Sequence, residues 1–151
     1  MKISLVLGIS LLCSVAWAGD PVLGTWRLNL KKSIFSPGPA PKSQTRIYEE
    51  HGGGVRVTIK TVDAEGQTTS VQHPLNYDGR AYAVVGSSQT DAIILEKIDD
   101  YTSEAILKHA TTVIGKNRRV VSRDGKTLTI TYEGTSNLSQ PVKNVVVYDR
   151  Q

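Results

Sequence analysis

The chain has 151 residues, a net charge of +4 at pH 7, and six tyrosines against two tryptophans and one phenylalanine. That length suits one domain with a sizeable core. The basic residues are scattered, with Lys31-Lys32 and Arg118-Arg119 the only adjacent pairs. A nucleic-acid partner would need a clustered basic face, so none is expected.

In chain order the first element is an export signal. Lys2 supplies a positive start, Ile3 to Val15 is mostly apolar, and Ala16-Trp17-Ala18 has the small-x-small form of a cleavage site. Residues 1–18 are therefore read as a signal peptide and 19–151 as the mature domain, secreted or periplasmic. The apolar run is too short for an ordinary membrane span, and none is expected in the mature chain. The rival reading, a lipid anchor on Cys13, would need Gly, Ala or Ser where Leu12 stands. Cleavage removes Cys13, the only cysteine, and with it any disulfide, thiol nucleophile or thiolate metal site. It also removes Lys2, the one charged residue of the segment, and lowers the net charge from +4 to +3.

The mature chain is a succession of short alternating runs. Trp26, Leu28 and Leu30 share one parity. Val55, Val57 and Ile59 share the next, and Val71, His73, Leu75 and Tyr77 the one after. Ala105 and Leu107, then Leu128, Ile130 and Tyr132, continue it. A period of two marks strands, because successive side chains point to opposite faces. The expected breaks are Gly52-Gly53-Gly54, Ala64-Glu65-Gly66, Asp78-Gly79 and Asp124-Gly125, with weaker ones at Asp99-Asp100 and Lys116-Asn117. Asp78-Gly79 and Asp124-Gly125 are the strongest hairpin signals, since a type I′ turn needs two residues at positive φ. About nine or ten strands joined mainly as hairpins give an antiparallel meander, and closure into a barrel removes its two edges.

Lys31 to Ser43 differs from the rest. Pro37, Pro39 and Pro41 exclude a helix or a central strand, leaving an extended loop with one short turn at Lys32 to Phe35. Phe35 either anchors this loop or plugs a barrel end.

Several motifs carry a resemblance. They are Gly24-Thr25-Trp26-Arg27-Leu28-Asn29, Lys32 to Pro41, Tyr77-Asp78-Gly79-Arg80, Lys97 to Asp100, Arg118 to Thr127 and Val147 to Gln151. Together they resemble a family of small secreted bacterial proteins described as lipocalin-like, without an assigned activity. The resemblance implies a single calycin/lipocalin-like barrel of about 8–10 strands over residues 19–151. In lipocalins the Gly-x-Trp tryptophan plugs the closed end and a late arginine packs across it. Here Trp26 and Arg150 match those parts, a cation–π contact worth about 0.5–2 kcal/mol. Fatty-acid-binding proteins open similarly but hold a carboxylate with an arginine two residues before a last-strand tyrosine. Val146 stands there in this chain, so that mode is not implied.

The chain offers little enzyme chemistry. His51, His73 and His109 form no metal-ligand spacing, Gly86-Ser87-Ser88 is not a nucleophile elbow, and Gly52-Gly53-Gly54 lacks the Lys of a phosphate loop. No cofactor, metal or catalytic residue is expected. The barrel lining is the remaining candidate. Arg46 and Tyr48 share a strand face, His73 and Tyr77 another, and Arg119 shares one with Val121; Tyr82, Tyr132 and Tyr148 lie in further strands. Turned inward, these eight residues (Arg46, Tyr48, His73, Tyr77, Tyr82, Arg119, Tyr132, Tyr148) would line a mostly apolar pocket with polar handles, fit for a small hydrophobic or amphipathic ligand. The alternatives are a side-chain-filled barrel serving as a structural or interaction domain of the cell envelope, and an enzyme using His73 or Arg119.

Overall fold

The computed structural model describes residues 19–136 and 138–151. The signal segment and Cys13 lie outside them. Ten strands follow one another. They are β1 Gly24–Leu28, β2 Ser43–His51, β3 Gly54–Val62, β4 Thr68–Leu75, β5 Asp78–Ala83, β6 Ala92–Asp99, β7 Thr102–His109, β8 Thr112–Val121, β9 Thr127–Thr135 and β10 Pro141–Arg150. All pair antiparallel in one sheet of order β4-β3-β2-β1-β10-β9-β8-β7-β6-β5. Chain neighbours pair throughout except β4 with β5, and β1 meets β10, so the first and last strands are joined at the middle of the sheet.

The two outermost strands nearly close the barrel. Between β4 and the segment just after β5 there is one bridge, in which Gln72 and Val85 exchange backbone hydrogen bonds of 2.8 Å each. Gly86 makes that approach possible, because a Cβ there would lie 2.1 Å from the Ser70 carbonyl oxygen.

Period-two alternation sets the interior. Trp26, Tyr48, Val57, Leu75, Leu95, Leu128 and Tyr148 are buried, and Val55, Ile93, Ala105, Val121 and Ile130 join them. The charged pair Arg118-Arg119 shows the two faces. Arg118 points outward to the Glu104 carboxylate, while Arg119 is buried.

Four local readings need correction. Asp78-Gly79 is not a hairpin turn, for it opens β5, whose partner is β6 rather than β4. Asp78 Oδ1 instead accepts from the Arg80 amide at 3.0 Å, and the strand bulges between Asp78 and Ala81. The tight loop with both residues at positive φ is Gly52-Gly53, at 56° and 80°. In the β8–β9 turn only Gly125 is at positive φ, and the Ser122 amide spans the loop to the Thr127 carbonyl at 2.8 Å. Lys116-Asn117 lies inside β8, and the chain turns earlier, where Ala110 takes φ 50°. Tyr77 falls in the β4–β5 connection rather than in a strand.

The Pro-rich segment is tied down along β10. Ile34 and Val145 exchange backbone hydrogen bonds of 2.7 and 2.9 Å, and the Lys143 amide donates to the Ser36 carbonyl at 2.8 Å. One 3-10 turn, Leu30–Lys32, precedes it, capped by the Asn29 side chain.

One barrel end is shut by the strap 20–23. Trp26 is fully buried, and its Nε1 donates to the Val22 carbonyl at 2.7 Å. The Arg150 guanidinium stacks on the indole with Cζ 4.2 Å from the ring centroid. Its Nη1 and Nη2 donate to the Leu23 and Pro21 carbonyls at 2.6 Å each, and its Nε donates to the Gly125 carbonyl. Gly24 has φ 119°, and a Cβ there would sit 2.7 Å from Arg150 Nη1. A side chain at 24 would thus strain the backbone and displace the guanidinium. Trp26→Ala should cost about 3–5 kcal/mol, the range for truncating a core tryptophan. Urea unfolding of both proteins checks this, and a loss near zero would contradict the plug.

Candidate binding site inside the barrel

Alternation on β2 turns Gln44, Arg46 and Tyr48 inward together, opposite Thr61, Ile59 and Val57 on β3. On β10 it turns in Asn144, Val146 and Tyr148, and on β9 Ile130 and Tyr132, which pair with Val146 and Asn144. On β8 Asn117 and Arg119 face Ala105 and Ser103 of β7. These strands enclose a cavity of about 220 Å³ at the end opposite the Trp26 plug. Leu28, Leu107, Ile130 and Val146 make its apolar wall. Arg46, Gln44, Asn117, Asn144, Tyr132 and Tyr148 are the polar groups, and Phe35 and Pro41 of the Pro-rich segment cover one side. A second space of about 390 Å³ shares Leu107, Tyr132 and Asn144 with it and runs out past Gln89, Thr90, His109 and Ile114. The first is smaller than most small-molecule sites, which span about 300–1,000 Å³, and the second lies within that range.

Arg46 is the cation of this cavity. Its Nε donates to Gln44 Oε1 at 3.3 Å, and its Cζ lies 5.1 Å from the Tyr148 ring centroid. The Tyr148 hydroxyl donates to the same Gln44 oxygen. Burial opposes the Arg46 charge, but the oxygens of Tyr148 and Tyr48 outweigh it and hold its pKa above the ordinary guanidinium value.

Behind that wall lies a second polar cluster. Arg119 donates from Nη2 to Ser103 Oγ at 2.6 Å and to the Tyr77 hydroxyl at 3.2 Å. Its Cζ sits 5.5 Å from the Tyr48 ring centroid and 5.9 Å from that of Tyr77. Tyr77 passes its own proton to Asp20 Oδ2 at 3.0 Å, so Arg119 reaches an acid only through a tyrosine. Burial, with Asp20 adding to it, raises the Tyr77 phenol well above its usual value against the pull of Arg119. Tyr48 is buried with no hydrogen-bond partner for its hydroxyl. Burial raises the Tyr48 phenol, yet the guanidiniums of Arg46 and Arg119 together lower it below the ordinary tyrosine value. Among the described residues neither arginine joins an ion pair with an acid.

The eight sequence candidates thus separate. Arg46, Tyr132 and Tyr148 line the open cavity. Tyr48, His73, Tyr77 and Arg119 form the cluster behind it. Tyr82 lies apart on β5, packing at the core margin with its hydroxyl on Asp78 Oδ2 at 2.6 Å. Gln44, Asn117 and Asn144 were missed, while Phe35, expected to anchor its loop or plug a barrel end, lines the cavity. The first three stand two residues from Arg46, Arg119 and Val146, so the same alternation would have found them. Tyr132 owes its position to glycine, since its ring lies against Gly115, where a Cβ would fall 2.5 Å from the Tyr132 hydroxyl oxygen. The other concavities are of different kinds. One of about 400 Å³ lies mainly on the outer sheet face, between Ile94, Ile106 and charged neighbours such as Glu104, Lys116 and Arg118. Another, broad and open, surrounds Gly52–Gly54, Asn76 and Lys97 at the plugged end. Among the described residues no group of acids and histidines could hold a metal ion, and no helix is long and apolar enough to cross a membrane. No protein-family model matches the chain, and no curated protein matches it.

His73 gives this cluster a pH signature. Its Nδ1 donates to the Pro74 carbonyl at 3.0 Å, leaving Nε2 as acceptor. Burial pushes the imidazole down from 6.5 to about 4, with Arg46 and Arg119 adding to it and the Pro74 carbonyl opposing. Between those values the unfolded chain binds a proton that the folded one refuses. Stability is therefore intact above pH 6.5 and falls as pH drops toward 4, by about 3 kcal/mol at most. Replacing His73 with Gln should remove this part of the acid sensitivity. Urea unfolding between pH 7 and 4 checks it; parallel stability curves for both proteins would contradict it.

Proposed function

We propose that this chain is an exported lipocalin-like barrel that binds a small amphipathic molecule in the open half of its interior. The observation that carries the reading is the cavity itself. Its apolar wall and convergent polar groups lie in a space that the core side chains leave unfilled, at the end the Trp26 strap does not cover. The signal-type segment and the lipocalin-type motifs support export and the family. The proposed role is retention or transfer of the ligand. Fold likeness alone would be weak support, and the cavity chemistry is the stronger warrant.

A neutral fluorescent reporter, N-phenyl-1-naphthylamine, tests the reading. The mature wild type should enhance its emission saturably. Val146→Trp, which places an indole in the cavity, should abolish the enhancement while the protein remains folded by circular dichroism. No enhancement by the wild type, or equal enhancement by the filled variant, would contradict it. Such an outcome would favour the second reading, an interaction domain, for which the outer groove at Ile94 and Ile106 is the surface.

A further inference from the structure

Arg46 is the one cation in the wall of the open cavity, and no acid lines that wall. Two guanidiniums stand in the barrel interior, Arg119 buried and Arg46 half-buried, and among the described residues neither pairs with an acid. Both stack on tyrosines, Arg46 on Tyr148 and Arg119 on Tyr48 and Tyr77. Arg119 gains more from Ser103 and, through Tyr77, from Asp20. Arg46 has no such relay. Its guanidinium makes one protein hydrogen bond, to a neutral amide oxygen, and it forms part of the wall of the open cavity. Beside it the Tyr48 hydroxyl is buried and without a partner.

We infer that the ligand carries one negative charge, and that its anionic head seats against Arg46, with Gln44 and Tyr148 beside it and its apolar body along Leu28, Ile130 and Val146. The inference rests on the binding role proposed above and adds the chemical class. A head group here would meet the free edge of a planar guanidinium, which suits a carboxylate in the bidentate mode. A cationic head is excluded by Arg46 and Arg119 together. A neutral alcohol would fit the same wall but leave the Arg46 charge unanswered. The site differs from a last-strand arginine site, because the cation comes from β2 and the last strand presents Val146 and Tyr148 to the cavity. Asn144 and Tyr132 stand where the two spaces meet, and they and Asn117 contribute neutral polar edges rather than charge.

The test compares decanoate, decanol and decylamine as displacers of the neutral reporter from the mature protein. Decanoate should displace it at a concentration at least about tenfold lower than decanol, the margin expected of a charge-assisted pair. Decylamine should be weaker than both. Arg46→Gln should bring decanoate to the level of decanol. Equal displacement by decanoate and decanol in the wild type would overturn the inference while leaving the binding role standing, as would a decanoate preference that survives in Arg46→Gln. Failure of all three to displace the reporter overturns the inference as well. If the wild type does not bind the reporter at all, the binding role itself falls. Should Arg46→Gln not fold, the three-way comparison on the wild type decides the matter alone.

Discussion

Arg150 holds the barrel's shut end together. Its planar guanidinium covers Trp26 on one face, and its donors reach main-chain carbonyls of the strap 20–23 and of the β8–β9 turn. Three distant stretches of chain therefore meet at one side chain. The indole completes the arrangement by donating to Val22, so that no polar atom of the plug is left without a partner. Gly24 follows from the same contact, since only a residue without Cβ leaves room for the arginine. The Gly-x-Trp pattern is in this sense one constraint written at two positions, and its third member stands at the other end of the sequence.

That clasp gives the barrel its polarity. Side chains fill the shut half, where Trp26, Val22, Val121 and Leu128 are among the least exposed residues. Toward the other end the lining grows smaller or more polar, with Gly115, Asn117 and Asn144 in place of large apolar groups, and space remains. Between the two lie the tyrosines and the two inward arginines. The sheet itself is less evenly closed. Nine of its contacts are continuous ladders, whereas β4 reaches the segment after β5 through the Gln72–Val85 bridge. The seam strands are the two edges of the sheet, away from the β1–β10 pair, and their connection reaches the strap through the Tyr77 hydroxyl on Asp20.

Much of this was legible in the sequence, for physical reasons that also mark where legibility ended. Strand parity follows directly from alternation, which is why Arg46 with Tyr48 and Ile130 with Tyr132 were grouped correctly. Parity does not say which face is inner, and a one-residue slip exchanges the two. Once Trp26 is inward, its pairing with Arg46 and Arg150 carries the assignment around the sheet. Gln44, Asn117 and Asn144 become lining residues only at that point. Turn chemistry was the weaker guide. Asp-Gly at 78–79 has the right residues for a hairpin, yet closure of the barrel sends β4 and β5 to opposite edges, and the same residues serve a bulge. Gly52-Gly53 makes the tight turn because both residues take positive φ without strain. Tyr82 lies in a strand as expected but packs at the margin, with its hydroxyl on Asp78.

The proposed ligand site is the open half of the interior, with Arg46 in its wall. A proton–nitrogen correlation spectrum of the mature protein, recorded during titration with decanoate, tests that claim most directly. The account predicts shifts of the Arg46 Nε–H and of the Asn117 and Asn144 side-chain amides, with the Gly52 and Gly53 amides unmoved. Shifts confined to Ile94, Ile106 and their outward neighbours, or none at saturating decanoate, would contradict it.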